Sequence, residues 1–250
     1  MLPATETAWH THIDALHTAT KPATDAEVTR ALVNAITSSL PQTPFGIFLS
    51  GGVDSSILAL IAQKSSAQFT CYCVGLEGSE DVAWAKRAAH DLGLALKTKT
   101  FTLDETESLF KRTAKLLPTP DVLSVGVGAV VVGAAELARE DGVNTFLGGL
   151  GSEEIFAGYK RHARAADVNE ECWRGLRGLF ARDLARDIPL AQHLNITVLT
   201  PFLDREVIVQ AMGISGDRKL NASHKKVILR EIAEQLGLPH EFALRKKTAA

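Results

Sequence analysis

Apolar and polar residues follow two alternating patterns along the N-terminal part of the chain. Short continuous apolar runs, typical of strands buried on both faces, occupy residues 45–49, 68–76, 94–101 and 144–147. Stretches with apolar residues every three or four positions, which predict helices, occupy residues 25–40, 55–63, 81–92, 104–117 and 125–141. Because strands that alternate with helices favour βαβ units, we expect an α/β fold with a parallel sheet and helices on both faces.

Local residues and a change of pattern mark the expected ends of elements and domains. Thr24 or Asp25 can cap the first helix, and Gly93 can end the third. From about residue 169 onward the pattern becomes helical with loops. The predicted parts are an N-terminal extension, an α/β core and a helical C-terminal lobe packed over the sheet, at residues 1–24, 25–168 and 169–250.

Composition is that of a globular chain with one main domain. Of the 250 residues, 46% are hydrophobic and 22% are charged. No apolar run approaches the roughly 18 residues of a membrane span, and residues 1–20 do not have the pattern of a signal peptide. The net charge of -2, with scattered Lys and Arg, gives no sign of a surface for nucleic acid or lipid. The predicted location is the cytoplasm.

The cysteines and histidines indicate no disulfide and no metal site. Cys71, Cys73 and Cys172 include no Cys-x-x-Cys pair, and in a strand Cys71 and Cys73 point to the same face. We therefore interpret them as small buried residues in a reducing compartment. The eight histidines show no spacing typical of metal ligands, and the oligomeric state is not predicted.

The turn after the first predicted strand indicates the chemistry. It reads Ser50-Gly51-Gly52-Val53-Asp54-Ser55-Ser56 and is here called the Ser50 loop (residues 50–56). Glycines let backbone amides approach an anion, serines add hydroxyl donors, and the next helix points its positive end at the same place. These features predict a pyrophosphate cradle. The alternative is a plain strand-to-helix turn in which Asp54 and Ser55 cap the helix.

The Ser50 loop alone does not supply every group that a bound phosphate needs. It lacks the lysine of the P-loop motif, so a cation must come from elsewhere in the chain. The carboxylate of Asp54 would repel phosphate by itself, but it becomes useful with Mg²⁺ between them.

A second glycine-rich turn follows the fourth predicted strand. It reads Leu147-Gly148-Gly149-Leu150-Gly151-Ser152-Glu153-Glu154-Ile155-Phe156-Ala157-Gly158-Tyr159. The Ser50 loop resembles that of the ATP pyrophosphatases, and this turn resembles a segment of the synthase domain of asparagine synthetases. The resemblance implies a Rossmann-like, adenine nucleotide alpha hydrolase-like fold that binds ATP and Mg²⁺ and cleaves ATP between its α- and β-phosphates. Both turns follow strands of one predicted parallel sheet, so we expect them at one edge.

The resemblance also implies roles for single residues. Asp54 and Glu153 would share Mg²⁺, and Lys226 would steady the pyrophosphate and the acyl-adenylate. The implied nucleotide contacts are Leu49, Ser50, Gly51, Gly52, Asp54, Ser55, Ser56, Val74, Gly75, Gly148 and Gly149. The likeness extends to Pro201-Phe202-Leu203-Asp204, Lys226-Val227-Ile228-Leu229-Arg230-Glu231 and Arg245-Lys246-Lys247.

Simpler interpretations stay open for several of these residues. Glu153 and Glu154 can satisfy a helix N-terminus, and Tyr159 can be a packing residue with a hydroxyl hydrogen bond. The basic residues can form a solvated helix face and tail. They are Lys225, Lys226, Arg245, Lys246 and Lys247.

The chain departs from the family pattern on the substrate side. Leu150 stands where asparagine synthetases have Glu, and Leu cannot take a proton from an attacking amine. Residues Thr197-Val198-Leu199 replace a Glu-x-Arg. Few residues precede the Ser50 loop, so we expect no glutaminase domain, and ammonia would come from solution or from a separate glutaminase chain.

We therefore predict an AMP-forming, ATP-dependent ligase that adenylates a carboxylate and passes it to an amine or ammonia, as in asparagine biosynthesis. Its partners would be small molecules, not a membrane or nucleic acid. One alternative is an enzyme that adenylates a nucleobase or tRNA, which the absence of a basic stripe disfavours. The other is a regulatory subunit that binds ATP or AMP and has lost acceptor chemistry, motivated by Leu150 and Leu199.

Overall fold

The structure is a computed structural model that describes residues 2–246. Its strands are β1 Phe45–Phe48, β2 Phe69–Leu76, β3 Leu96–Phe101, β4 Thr145–Leu147 and β5 Thr197–Leu199. Its α-helices are α1 Glu6–Ala19, α2 Asp25–Ser39, α3 Val53–Lys64, α4 Glu80–Leu92, α5 Leu103–Leu116, α6 Val122–Arg139, α7 Ser152–Ile155, α8 Val168–Arg177, α9 Ala185–Leu194, α10 Arg205–Gly213, α11 Val227–Gln235 and α12 His240–Ala243. The elements form two compact units: the sheet unit, residues 40–148 and 183–199, and the helical unit, residues up to 39, 149–182 and from 200.

Five parallel strands form the sheet of the sheet unit, in the order β3-β2-β1-β4-β5. The central strand is β1, in which Ile47 pairs with Cys71 of β2 on one side and with Leu147 of β4 on the other. Because all strands are parallel, their carboxyl ends lie at one edge. The predicted parallel α/β fold is confirmed.

Strand β2 shows that helices cover both faces of this sheet. Tyr72 and Val74 lie in a buried cluster with residues of α6. The alternate residue Cys73 faces α4, where its Sγ lies 3.9 Å from the carbonyl oxygen of Asp81. Cys71 and Cys73 are both buried, as predicted, and burial raises the pKa of the Cys71 thiol to about 12.

Helix α6 packs its buried face against the sheet, whereas Val122 and Leu123 at its start are exposed. A Cβ on Gly133 would lie 3.2 Å from the ring of Phe101 and 3.3 Å from Val74, so the helix lies close to the ends of β3 and β2. The helix has 18 residues with a mean hydropathy of 1.7 and 39% buried, which meets the length and composition expected of a membrane span. The expectation that no apolar run approaches that length is therefore wrong for α6. Core helices pass the same test.

Long-range hydrogen bonds and ion pairs tie the helical unit together. The indole of the buried Trp9 in α1 donates to the carbonyl of Leu176 in α8 at 2.9 Å. Arg218 bridges α2 and α11 through Asp25, at 2.6 Å, and Glu231, at 2.5 Å. These contacts join segments that lie far apart in sequence, so the unit is discontinuous along the chain.

Caps confirm several predicted helix ends. Thr24 and Glu27 form a capping box at α2, in which the Thr24 amide donates to Glu27 at 2.8 Å and the Glu27 amide donates to Thr24 at 3.3 Å. Gly93 ends α4 with a φ of 63°. Helix α6 starts three residues before its predicted position because the Asp121 carboxylate accepts from two amides of the first turn.

Two elements were missed by the sequence analysis. Residues 6–19 form helix α1, within the segment interpreted as an extension. Residues 197–199 form β5, so the pattern after residue 169 is not purely helices and loops. Strand β5 has no buried residue, in contrast to the equally short β4, whose Phe146 and Leu147 are buried. The domain boundaries at residues 24 and 168 stay predictions.

Candidate active site

The Ser50 loop leaves the carboxyl end of the central strand. Leu49 extends the pairing of β1, since its amide donates to the Tyr72 carbonyl at 3.0 Å, and its side chain is buried. Gly51 then has a φ of 70°, and a Cβ there would lie 2.6 Å from the Trp84 backbone. A glycine is needed on both counts, because the left-handed region and the close approach each exclude an ordinary side chain.

Hydroxyl groups hold the Ser50 loop in shape. The Ser50 amide donates to Ser55 Oγ at 3.1 Å, and Ser55 Oγ in turn donates to the Gly52 carbonyl at 3.2 Å. Helix α3 starts at Val53, with Asp54 in its first turn. Ser56 is fully buried, and its hydroxyl has no hydrogen-bond partner within residues 2–246. The loop therefore combines a helix N-terminus, local hydroxyls and one unsatisfied donor.

The neighbouring strands bring further predicted residues to the same edge. Val74 and Gly75 lie near the carboxyl end of β2, the parallel neighbour of β1. The Val74 side chain is buried towards α6, so its backbone is the part that can face the edge. Gly148 follows β4 on the other side of β1, and its amide donates to the Leu199 carbonyl at 2.9 Å. Gly149 begins the next segment of the helical unit.

Glu153 and Glu154 have different surroundings in the helical unit. Both lie in the short helix α7. The Glu154 side chain is buried and forms an ion pair with Arg182, whose guanidinium lies 5.5 Å from the Tyr159 ring centroid. The Glu153 side chain is 39% exposed. Glu154 is therefore held by a structural contact, whereas the Glu153 carboxylate can reach a ligand.

Lys226 is buried beside Glu153, in contrast to the alternative of a solvated face. Its side chain is 5% exposed, and its Nζ lies 2.6 Å from Glu153 Oε1 and 3.2 Å from Ser152 Oγ. It is the N-cap residue of α11 and has a φ of 56°. A left-handed backbone at a residue other than Gly costs roughly 1–2 kcal/mol, and such strain concentrates at functional sites.

The rest of the basic motif has a structural role. Arg230 is buried and donates to the backbone carbonyls of Lys225, at 2.7 Å, Arg245, at 3.1 Å, and Ala243. It thereby fixes the chain that follows α11. Lys247 lies outside the described residues.

The segments that depart from the family pattern also form regular structure. Thr197, Val198 and Leu199 are strand β5, and they pair in register with β4. Leu150 is half-buried.

The segment Pro201-Phe202-Leu203-Asp204, which matches the family pattern, leads into α10. Asp204 caps α10 by accepting from the amide of Glu206 at 2.9 Å. The capping role of this aspartate is a local one.

The structure brings several of the predicted site residues together within each unit. The Ser50 loop, Val74, Gly75 and Gly148 share one edge of the sheet unit, whereas Lys226 and Glu153 contact each other in the helical unit. Asp54 and Glu153 belong to different units, and a shared Mg²⁺ stays a prediction. Sequence reasoning missed Ser152 and Gly158. Both residues stand in the second glycine-rich turn, whose resemblance to the synthase segment is the signal that could have pointed to them.

The carboxylates, amides and hydroxyls of the predicted site residues suit Mg²⁺ and phosphate. Carboxylate oxygens, as at Asp54 and Glu153, are the protein ligands that Mg²⁺ prefers. Loop amides, the start of α3 and the unsatisfied Ser56 hydroxyl fit phosphate oxygens. No group of three or more His, Cys, Asp or Glu residues that could hold a metal ion occurs within residues 2–246.

Known proteins resemble this chain over most of its length. The asparagine synthase family matches residues 27–196 and 162–250. Asparagine synthetase B (glutamine-hydrolyzing) of Escherichia coli is 30% identical, with 88% of this chain and 43% of that protein covered. A relative from Methanocaldococcus jannaschii is 32% identical, with 88% of this chain and 48% of that protein covered.

Similarity to solved structures is weaker. NMN synthetase from Francisella tularensis matches with a TM-score of 0.41 and 14% identity, over 90% of this chain and 98% of that one. This likeness is too low to bear on either fold or activity. The chain spans about half the length of the curated relatives it matches. The family match covers well over half of the chain. The chain therefore belongs to the asparagine synthase family.

Proposed function

We propose that this chain is an ATP-dependent, AMP-forming ligase, which adenylates a carboxylate and passes the acyl group to an amine or ammonia. The observation that carries the proposal is the Ser50 loop, where backbone amides, hydroxyls and the start of α3 meet at the carboxyl end of the central strand. Parallel sheets bind ligands at this edge, and phosphates bind at such strand-to-helix turns. Membership of the asparagine synthase family supports ATP as the substrate.

The reaction explains why a buried lysine is needed. A carboxylate oxygen attacks the α-phosphorus, an acyl-adenylate forms, and the bond to the β-phosphate breaks so that pyrophosphate leaves with the negative charge. In the proposal the Lys226 ammonium pairs with this charge, which supplies the cation that the loop lacks. Ser152 and Glu153 orient the ammonium before it acts.

We propose that Asp54 and Glu153 would hold Mg²⁺, as the family resemblance implies and as their carboxylate oxygens permit. When bound, it would supply positive charge that stabilises the phosphates as they separate. The residues themselves contribute oxygen ligands and orientation.

The products decide the reaction class. The protein is incubated with ATP, Mg²⁺, ammonium and a panel of carboxylates, and the nucleotides are separated by chromatography. We expect AMP and pyrophosphate, together with an acyl-adenylate detectable by mass spectrometry. Formation of ADP and phosphate instead would refute the proposal.

Substitution of Asp54 tests the loop directly. Asp54→Ala is expected to abolish AMP formation while leaving the fold intact, because it removes a metal ligand from the first turn of α3. Asp91→Ala, at an exposed position near the end of α4, is the matched control and should keep wild-type activity. Unchanged adenylation in Asp54→Ala would favour a mere capping role.

The acceptor is proposed only as a class. Asparagine synthetase B of Escherichia coli is named as glutamine-hydrolyzing, and for this chain we propose ammonia or another amine as the acceptor in the cytoplasm. Because Leu150 cannot take a proton, the carboxylate need not be aspartate and the nucleophile need not be ammonia. Pyrophosphate release only with RNA would favour the nucleobase or tRNA alternative. Nucleotide binding without turnover across the whole panel would favour the regulatory subunit.

A further inference from the structure

We infer that Gly158 is a positioning residue for Lys226. Because it has no side chain, Gly158 leaves the space in which the Glu153 carboxylate holds the Lys226 ammonium. The inference deepens the proposed function and rests on the role proposed there for Lys226.

Local structure brings Gly158 back against Glu153. Helix α7 ends at Ile155, and Ala157 then adopts a left-handed conformation with a φ of 56°. The Gly158 amide donates to the Glu153 carbonyl at 2.8 Å. This hydrogen bond across six residues is typical of a helix end closed by a left-handed residue. It fixes the Gly158 backbone beside the side chain that begins the turn.

The space beside Gly158 is fully used by the ion pair. A Cβ at this position would lie 1.8 Å from Glu153 Oε2 and 2.4 Å from Lys226 Cε, whereas real Cβ atoms essentially never approach within 3.0 Å. Both atoms are near the ends of flexible side chains. A methyl group would therefore displace the carboxylate and the lysine before it disturbed the backbone.

Backbone conformation is not the reason for glycine here. The φ of Gly158 does not lie in the left-handed region, in contrast to those of Gly51 and Gly151. An alanine could adopt this backbone without strain, so the requirement is for space alone.

Displacement has consequences because Lys226 is buried. An ammonium that is 5% exposed is stabilised by its counter-ion, and moving the Glu153 carboxylate away weakens that stabilisation. A misplacement of about 1 Å at a reacting group can cost on the order of 10²-fold in rate. Gly158→Ala requires Glu153 Oε2 to move from 1.8 Å to at least 3.0 Å from the new Cβ.

The first experiment compares glycine substitutions. Gly158→Ala is expected to lower kcat/KM for AMP formation by about 10²-fold. Gly126→Ala is the matched control, since Gly126 lies in α6 with an ordinary φ and a Cβ there would meet nothing within 4 Å. The control should keep wild-type activity. Equal, near-wild-type activity of both variants, with Lys226 unaltered, would overturn the inference.

A second substitution separates positioning from general damage. Glu153→Asp shortens the side chain by one methylene, which withdraws the carboxylate from the added methyl group. The double variant Gly158→Ala/Glu153→Asp removes the clash with the carboxylate but keeps the close approach to Lys226 Cε, so it should recover part of the activity lost in Gly158→Ala. If Gly158→Ala does not fold, the double variant carries the test. Failure of both to fold would mean that the methyl group clashes with more than the ion pair, and the inference would fall.

Chemical labelling of lysines gives a readout that does not depend on activity. Acetic anhydride labelling followed by peptide mass spectrometry should modify Lys226 slowly in the wild type and at least several times faster in Gly158→Ala. Lys219, which is fully buried, serves as the internal reference for an intact fold. One outcome is that Lys226 is labelled faster in Gly158→Ala than in the wild type while the wild type forms no AMP. This outcome would uphold the positioning role of Gly158 and refute the proposed function. Unchanged labelling of Lys226 in folded Gly158→Ala would overturn the positioning itself.

Discussion

Replacement of Lys219 by methionine is expected to stabilise the protein at neutral pH. The Lys219 side chain is fully buried, and its Nζ lies 3.4 Å from Met212 Sδ, a weak acceptor. Burial lowers the pKa of Lys219 from 10.5 to about 8, because the charged ammonium is disfavoured there, although Cys172 and Asp167 act in the opposite direction. Methionine fills a similar volume without a charge.

The size and sign of the effect follow from this pKa difference. At pH 7 the lysine is charged in both folded and unfolded states, and the lowered pKa corresponds to a destabilisation of about 3 kcal/mol. Between pH 8 and 10.5 the folded state loses its proton first, so the stability of the wild type rises with pH. Lys219→Met should therefore be more stable by about 3 kcal/mol at pH 7, and by less than about 1 kcal/mol near pH 10.

Urea denaturation followed by circular dichroism at pH 7, 8.5 and 10 measures both quantities. Lys86→Met in α4 is the matched control, because Lys86 is exposed, and it should change the free energy of unfolding by less than about 0.5 kcal/mol at each pH. A variant Lys219→Met that is less stable than the wild type at pH 7, or whose advantage does not change with pH, would refute the reasoning.

Two further predictions concern left-handed residues. Gly51→Ala should weaken MgATP binding and lower the free energy of unfolding by at least about 1 kcal/mol, because Gly51 has a φ of 70° and a Cβ there would meet the Trp84 backbone. Calorimetric titration with MgATP and thermal melts measure both effects, and unchanged MgATP binding would contradict the prediction. Ala157→Gly should raise stability by about 1 kcal/mol, since Ala157 has a φ of 56°; a lower melting temperature would count against the assigned strain.

Periodicity predicted the sheet unit well because its elements are long and buried. Strand β2 and helices α3 and α4 bury apolar residues in a regular order, and Gly93 ends α4 as expected. Strand β5 escaped prediction because none of its three residues is buried, in contrast to the equally short β4, and its pairing with β4 depends on a partner about fifty residues away in sequence. The composition of α6 explains why this helix meets the criterion for a membrane span, against the expectation from sequence. A helix that packs closely on a sheet needs small apolar residues, and these also satisfy the criterion for a membrane span.

The site divides in the same way into local and long-range parts. The Ser50 loop could be predicted because its glycines, serines and helix start are contiguous in sequence. The contact between Lys226 and Glu153 joins residues 73 positions apart, so only resemblance pointed to both, and nothing in the sequence indicated that they touch. The difference between Glu153 and Glu154 is likewise three-dimensional, since Arg182 pairs with the second of them.

The contact with Lys226 does not conflict with a metal-binding role for Glu153. A carboxylate has two oxygens and about four lone-pair positions, so one oxygen can accept from an ammonium while the other binds a cation. Lys226 Nζ lies 2.6 Å from Oε1, whereas Oε2 is the oxygen that a Cβ on residue 158 would meet at 1.8 Å. A methyl group at residue 158 would therefore act through one displacement on both the contact with Lys226 and the proposed binding of Mg²⁺. Mg²⁺ dependence and Lys226 labelling should change together in Gly158→Ala, and recovery of only one in the double variant with Glu153→Asp would show that the two roles are separable.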